Sequence, residues 1–283
     1  NGETADVIPV KVSAVINQID EYIVENEKSA RHYLKKAGLQ KPLQEIIMHP
    51  LNQHTAAQDI SGYLKSISDG KNIGVISEAG CPGVADPGAE VVAIAHERNI
   101  RVIPLVGPSS ILLSLMASGF NGQSFTFHGY LPKERSERIK KLKELEKAAQ
   151  KKQTQLFIET PYRNMHLLED ILHTCEGNTL LCIACDITLP SEFIKTKRIA
   201  EWKKQLPDIN KKPAIFLIYK WVNGSALQLF WDLVIIAVIG ITGNELAKIT
   251  GQEQLCTYYH NGQCYIKQGF VGHITGWDTI PGL

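Results

Sequence analysis

Apolar runs and helical periodicities alternate along the first half of the chain. EYIV (21–24) reads as a strand, and KSARHYLKKAG (28–38) as a helix closed by Gly38. EIIMHPL (45–51) is a strand, and AAQDISGYLKSISDG (56–70) an amphipathic helix ending at Gly70. NIGVISEAG (72–80) is a buried strand leading to a helix, AEVVAIAHERNI. RVIPLVGPSS (101–110) predicts a strand and loop, and ILLSLMASG (111–119) a buried helix. This order predicts βαβ units and a mainly parallel sheet.

The second half carries more strands per helix. SFTFHGYL (124–131), TQLFIETPYRN (154–164), TLLCIACDI (179–187), EFIKTKRI (192–199) and PAIFLIYK (213–220) are apolar runs of strand length. Only two helical patterns separate them, 133–152 and 165–177, which predicts a mixed sheet. The joint falls near Gly119–Gln123. The expected domains are 1–121, 122–221 and an atypical low-charge extension, 222–283. The extension holds only six charged residues. Its YYHNGQCY stretch (258–265) centres on Asn261-Gly262, a two-residue hairpin signal that sets Cys264 opposite Tyr259.

Thirty Lys and Arg against 29 Asp and Glu give a net charge of +1, so the molecule as a whole is no polycation suited to nucleic acid. A local basic patch stands at 133–152, with nine Lys or Arg and four Glu. A solvated helix face and an RNA-backbone contact both fit it. The six cysteines (81, 175, 182, 185, 256 and 264) follow no disulfide-framework spacing, which favours a reducing compartment. The first twenty residues carry no signal-peptide pattern, and the longest apolar run, LVIIAVIGI (233–241), is too short to span a membrane. CIAC (182–185) has zinc or redox spacing but lies in a strand pattern, where buried structural thiols are expected; no metal is expected.

Candidate chemistry concentrates in loops at strand ends. ISEAGCPGVADPG (76–88) follows a buried strand. Its glycines permit close backbone approach and its prolines stiffen the loop. Ligands of open α/β sheets sit at such carboxyl ends, although a strand-to-helix turn capped by Asp86 fits the residues too. VGPSS (106–110) repeats the arrangement, and the absence of Walker and GxGxxG patterns disfavours triphosphates and dinucleotides.

The ordered set SEAGCPGVADPG, PLVGPSS, FHGYLP and FIETPYRN resembles the tetrapyrrole methylase superfamily of S-adenosylmethionine-dependent methyltransferases. The resemblance spans residues 2–220 and is greatest to the branch that methylates a ribose 2′-hydroxyl in small-subunit ribosomal RNA. It implies two α/β domains with the methyl donor in the cleft between them, in a cytoplasmic homodimer. It also implies donor binding by Ser77, Glu78, Ala79, Gly80, Asp86, Pro87, Gly107, Pro108, Ser109 and Ser110. Glu159 is the candidate base or hydroxyl-orienting group and Arg163 a phosphate grip, while pairing of the two as a structural bridge is the alternative. His128 and Tyr130 are candidates for stacking on a base or ribose, or for the core.

Two departures from the superfamily pattern stand out, the first bearing on the sheet and donor binding and the second on the RNA substrate and the activity. The superfamily opens with an apolar strand and Gly-rich loop, whereas NGETADVIP looks like the end of that loop. The first central strand is therefore expected to be missing, or supplied by LVIIAVIGITGNELAKI (233–249), which reads as strand, turn and helix. The RNA branch also carries Ala-Arg-Glu-Leu-Thr-Lys, and ACDITL (184–189) stands there instead. Methylation of a small tetrapyrrole-like molecule and donor binding without catalysis are the remaining readings.

Overall fold

A computed structural model describes residues 4–52, 55, 57–78, 80–221, 258–260 and 263–265. The chain forms two compact units, 1–222 and 223–283, each treated by itself. The first unit begins with two short helices, α1 (Thr4–Val7) and α2 (Val10–Ile16), and then alternates β1 (Glu21–Val24), α3 (Glu27–Lys36), β2 (Ile47–Pro50), α4 (Ala57–Tyr63), β3 (Ile73–Ile76) and α5 (Ala89–Glu97). Asn26 caps α3 by accepting from the amides of Lys28 (2.9 Å) and Ser29 (3.2 Å). Gly38 and Gly70 follow the helical stretches with positive φ, as their positions in the sequence led one to expect.

All three strands are parallel, in the order β2-β1-β3. A parallel strand covered on both faces reads as a continuous apolar run. In β1, Tyr22 and Val24 pack with Ile16, Leu34 and Ile46 on one face. Ile23 packs with Leu51, Ile60 and Val91 on the other. Gly74 lets β3 approach this layer, since a Cβ there would lie 2.6 Å from the buried Tyr22 ring.

The expected strand at 101–106 did not form: residues 101–109 have no regular structure. Ile103, Leu105 and Val106 are exposed. β3 pairs with β1 alone among the described residues, so no described strand lies on its other edge. A strand without a neighbour has no partner for its backbone N–H and C=O groups, and the apolar pattern by itself cannot hold it extended in a sheet. The segment 233–249 lies outside the described residues.

The second sheet is five-stranded and mixed, in the order β4-β5-β8-β6-β7. Its strands are β4 (Phe125–Tyr130), β5 (Thr154–Ile158), β6 (Leu180–Cys185), β7 (Phe193–Arg198) and β8 (Ala214–Tyr219). β4 and β5 are parallel, and the other pairs antiparallel. Central β8 is buried along its whole length. Its Phe216 and Ile218 face a core with residues of α7 (Arg135–Ala149), α8 (Asn164–Thr174) and α9 (Ile199–Trp202). Its Ile215 and Leu217 face α6 (Ser110–Ser118) through Leu115. Helix α6 thus packs on the second sheet, where Thr196 Oγ1 also donates to the Ser118 carbonyl at 2.8 Å.

Among the described residues of the second unit, β9 (Tyr258–His260) pairs antiparallel with β10 (Gln263–Tyr265). Cys264 stands opposite Tyr259, the register that the Asn-Gly turn predicts.

Cys182 and Cys185 are buried in β6, consistent with structural thiols. Burial pushes the Cys175 thiol up to about 12 and those of Cys182 and Cys185 up to about 11. The thiolate is the reactive form. Iodoacetamide on the native protein at mildly alkaline pH should therefore alkylate half-buried Cys81 and spare these three until urea unfolds the chain. Modification of Cys182 before unfolding, read by peptide mass mapping, would contradict that burial.

Candidate active site

The loop after β3 is built by its own backbone. Ser77 Oγ donates to the Gly80 carbonyl at 3.0 Å, the Gly83 amide to the Pro87 carbonyl at 3.2 Å, and the Val84 amide to the Cys81 carbonyl at 3.0 Å. Gly83, Ala85 and Gly88 all have positive φ. Gly88 then starts α5. The second loop, 107–110, leads into α6 with extended Ser109 at the N-cap position. Cys81 Sγ lies 3.6 Å from the Pro108 carbonyl oxygen and ties the two loops together.

The surfaces of these loops suit a cationic, hydroxyl-bearing ligand. A Cβ on Gly80 would find only Asp86 Oδ2 nearby, at 3.6 Å, and one on Gly107 would meet nothing within 4 Å. Both backbones are open to close approach. Asp86 is half-buried and takes no hydrogen bond or ion pair among the described residues. Glu78 is exposed and accepts from Ser29 Oγ, while its own amide donates to Glu25 Oε2 at 3.4 Å. Ser109 and Ser110 flank the start of α6, without a side-chain cap bond. Ala79 lies outside the described residues.

Glu25 and Ser29 did not emerge from the sequence. Glu25 follows the β1 run directly, and a charged residue just past a buried parallel strand was the available signal.

The second candidate cluster follows β5. Glu159 is buried, with 2% of its side chain exposed, and accepts through Oε1 from the Thr160 amide (2.7 Å) and from Arg163 Nε (3.1 Å) and Nη2 (2.5 Å). Arg163 Nε also reaches Thr160 Oγ1 at 3.2 Å. Oε2 of Glu159 receives no donor among the described residues. The pair is one rigid unit, with the guanidinium toward solvent and the carboxylate beneath. Among the described residues, no hydrogen bond joins this unit to the two loops.

A groove of about 610 Å³ opens beside this pair, lined by Tyr130, Leu131, Lys133, Thr160, Tyr162 and Arg163. Its walls come from adjacent strand ends, since Tyr130 pairs with Ile158. His128, on the same strand as Tyr130, is half-buried and bonds Gln155 Oε1 through Nε2 at 2.8 Å. Burial pushes its pKa down, with a smaller opposing effect from the Gln155 bond, so the ring is neutral at neutral pH. Tyr130, by contrast, is exposed rather than in the core.

The 184–189 turn has a structure its sequence did not announce. Asp186 and Thr188 both hold positive φ, a conformation costly for non-glycine residues. Ser191 Oγ donates to Asp186 Oδ2 at 2.9 Å, the Asp186 amide to the Pro213 carbonyl at 3.0 Å, and the Thr188 amide to Glu192 Oε2 at 2.8 Å. Asp186 is therefore engaged in holding its own turn.

Residues 3–202 match the model of the Tetrapyrrole (Corrin/Porphyrin) Methylases. The chain belongs to this family. Among curated members, it is 29% identical over 182 residues to "Ribosomal RNA small subunit methyltransferase I" of Vibrio cholerae, covering 63% of this chain and 62% of that one. The protein of the same name from Pasteurella multocida is 28% identical over 214 residues, covering 75% and 73%. That from Buchnera aphidicola is 33% identical over 175 residues, covering 61% and 60%. The chain thus spans about three fifths of the Vibrio and Buchnera relatives. The solved structure of the methyltransferase CobJ superposes with a TM-score of 0.51 at 18% identity, over 76% of this chain and 89% of that one. This likeness bears out the expected fold class. No helix of the described residues is long and apolar enough to cross a membrane.

Proposed function

We propose that this tetrapyrrole methylase family member is an S-adenosylmethionine-dependent methyltransferase acting on a ribose 2′-hydroxyl of small-subunit ribosomal RNA. We read it as a cytoplasmic homodimer, with residues 1–121 holding the donor loops and 122–221 facing the substrate. The single observation that carries the reading is the joining of two Gly-Pro loops by the Cys81–Pro108 contact, beside open backbone at Gly80 and Gly107. The curated relatives named above support the choice of substrate.

The donor, when bound, supplies an activated methyl group on a sulfonium. The backbone of Gly80 and Gly107 lies open to it, and the Asp86 carboxylate suits its positive charge or its ribose hydroxyls. Ser77, Pro87 and Pro108 stiffen the two loops, and Ser109 and Ser110 present hydroxyls at the second. Glu78, held by Ser29, adds a second carboxylate at the strand ends. Methyl displacement is in-line, so holding donor and acceptor in register provides most of the acceleration.

Oε1 of Glu159 is already taken up by the Thr160 amide and the Arg163 guanidinium. Glu159 is accordingly read as the group that fixes Arg163 and offers Oε2 to orient the acceptor hydroxyl. Arg163 turns its exposed guanidinium to a phosphate.

Titration calorimetry with S-adenosylmethionine tests the donor site. A tritium-transfer assay on undermethylated small subunits, free ribosomal RNA and a porphyrinogen tests the acceptor. Label is expected in RNA, at a ribose resistant to alkaline cleavage. Transfer to the porphyrinogen alone would overturn the RNA reading, and donor binding with no transfer to any acceptor would leave a binding protein.

A further inference from the structure

The Tyr130–Tyr162 groove has no part in the donor loops, and its surface is unusual. Tyr130 is 58% exposed and Tyr162 75% exposed. Neither ring stacks on another, and neither hydroxyl makes a hydrogen bond among the described residues. Two exposed rings lining one groove offer apolar faces with a polar tip to a ligand. Both are held on stiff supports. Tyr130 ends β4, just after positive-φ Gly129 at the register shift in that strand, and Tyr162 sits in a short 3-10 turn between Pro161 and the Glu159-anchored Arg163.

Cationic side chains line the groove, with exposed Glu134 next to Lys133 in sequence. Lys133 makes no ion pair among the described residues, and Arg163 turns a partly exposed guanidinium to the same groove. Leu131, buried at 3% exposure, gives the groove an apolar floor. Planar π-faces beside an unpaired ammonium match an unstacked base and its phosphate. An acidic peptide would satisfy the cations and leave the rings bare.

We propose that this groove seats one unstacked nucleotide of single-stranded RNA, with its base against Tyr162 or Tyr130 and its phosphate at Lys133. The proposal rests on the RNA reading above and specifies where the strand is gripped beside the reacting ribose.

The test is fluorescence anisotropy of the full chain with a labelled single-stranded pyrimidine oligoribonucleotide of about ten nucleotides, comparable to known single-strand site sizes. Tyr162→Ala should weaken binding by about tenfold, the size of one lost base–aromatic stack. Tyr162→Phe keeps the π-face and should bind within about twofold of wild type. Lys133→Ala should lower the slope of log affinity against log salt by about 0.7, one single-strand phosphate contact, and Tyr162→Ala should leave that slope unchanged. Calorimetric affinity for S-adenosylmethionine should be the same in all four proteins, which also reports that the variants are folded.

Unchanged oligonucleotide affinity in Tyr162→Ala, or no binding by wild type, would overturn the proposal. So would equal competition by polyglutamate, or a loss of donor affinity in Tyr162→Ala, which would make the groove part of the donor site. Failure of methyl transfer to RNA while these binding differences persist would remove the proposed reaction and leave the nucleotide site standing.

Discussion

Gly88→Ala is expected to weaken S-adenosylmethionine binding by about tenfold or more and to lower the melting temperature. Gly88 holds φ 134° and ψ −23°, where L-residues are strained whatever the space around them. The space is also filled: a Cβ would sit 3.2 Å from the Gly83 amide nitrogen and 3.5 Å from both Pro82 Cβ and Val75 Cγ1. Two of these neighbours belong to the donor loop and the third to β3. Relief of the strain must therefore move the loop against its own strand. Holding a residue in such a region costs about 1–3 kcal/mol, and each 1.4 kcal/mol that falls on the bound conformation is about tenfold in affinity. Calorimetry alongside thermal melting checks this. A variant that melts lower but binds the donor like wild type would mean that the 80–88 conformation does not grip the donor, and the proposed function would lose its central support.

The second large effect is structural. Asp170, on α8, is buried and accepts from Arg135 Nε (2.8 Å) and from Arg138 Nε (2.8 Å) and Nη2 (2.6 Å) on α7. Removing one partner of a buried ion pair costs about 3–5 kcal/mol, because the remaining charge is left without its counter-ion. Among the described residues Arg138, largely buried, keeps only its bonds to the Pro132 and Lys133 carbonyls, while Arg135 escapes to water. Asp170→Ala should therefore lose about 3 kcal/mol in urea unfolding, at the low end of that range.

The loss should depend on pH with a definite sign. Burial by itself pushes the Asp170 carboxyl up, but the hydrogen bonds and charges of Arg135 and Arg138 outweigh it and hold the group below the usual carboxylate range. The unfolded chain therefore takes up this proton at a higher pH than the native one. The stabilisation is complete above the ordinary aspartate pKa, about 3.9, and is lost as the pH falls through the lower native value. The gap between wild type and variant should stay constant near neutrality and close in acid. A gap that persists unchanged in acid would show that packing of α7 on α8, not the ion pair, is what the substitution removes.

Much of the candidate site was legible because it lies in local sequence. The Gly-Pro cluster after the β3 run marked a strand-end loop, and Gly83 and Gly88 do take conformations that other residues avoid, whereas the 107–110 loop follows no strand. The ion pair of Glu159 and Arg163 was one of the two readings their spacing allowed, and the groove beside it was not foreseen. Tyr162 was legible only as part of a motif, because its exposure depends on how the turn after β5 is seated. The tie between Ser29, Glu25 and Glu78 was equally hidden: it joins residues far apart in sequence through the pairing of β1 with β3.

By itself the sequence determined the alternation of elements, the apolar faces of β1 and β8, the helix ends at Gly38 and Gly70, and the residue types in the two loops. These are local matters of periodicity, propensity and backbone freedom, which each segment carries wherever it is placed. Tertiary structure decided what needs a neighbour. RVIPLV has a strand's pattern and forms none, because a strand exists only through hydrogen bonds to the next one. Helix α6 packs on the second sheet, the Asp186 amide donates to the Pro213 carbonyl, and Cys81 reaches Pro108. Each of these is a contact between distant segments, and no local pattern encodes which partner will be there.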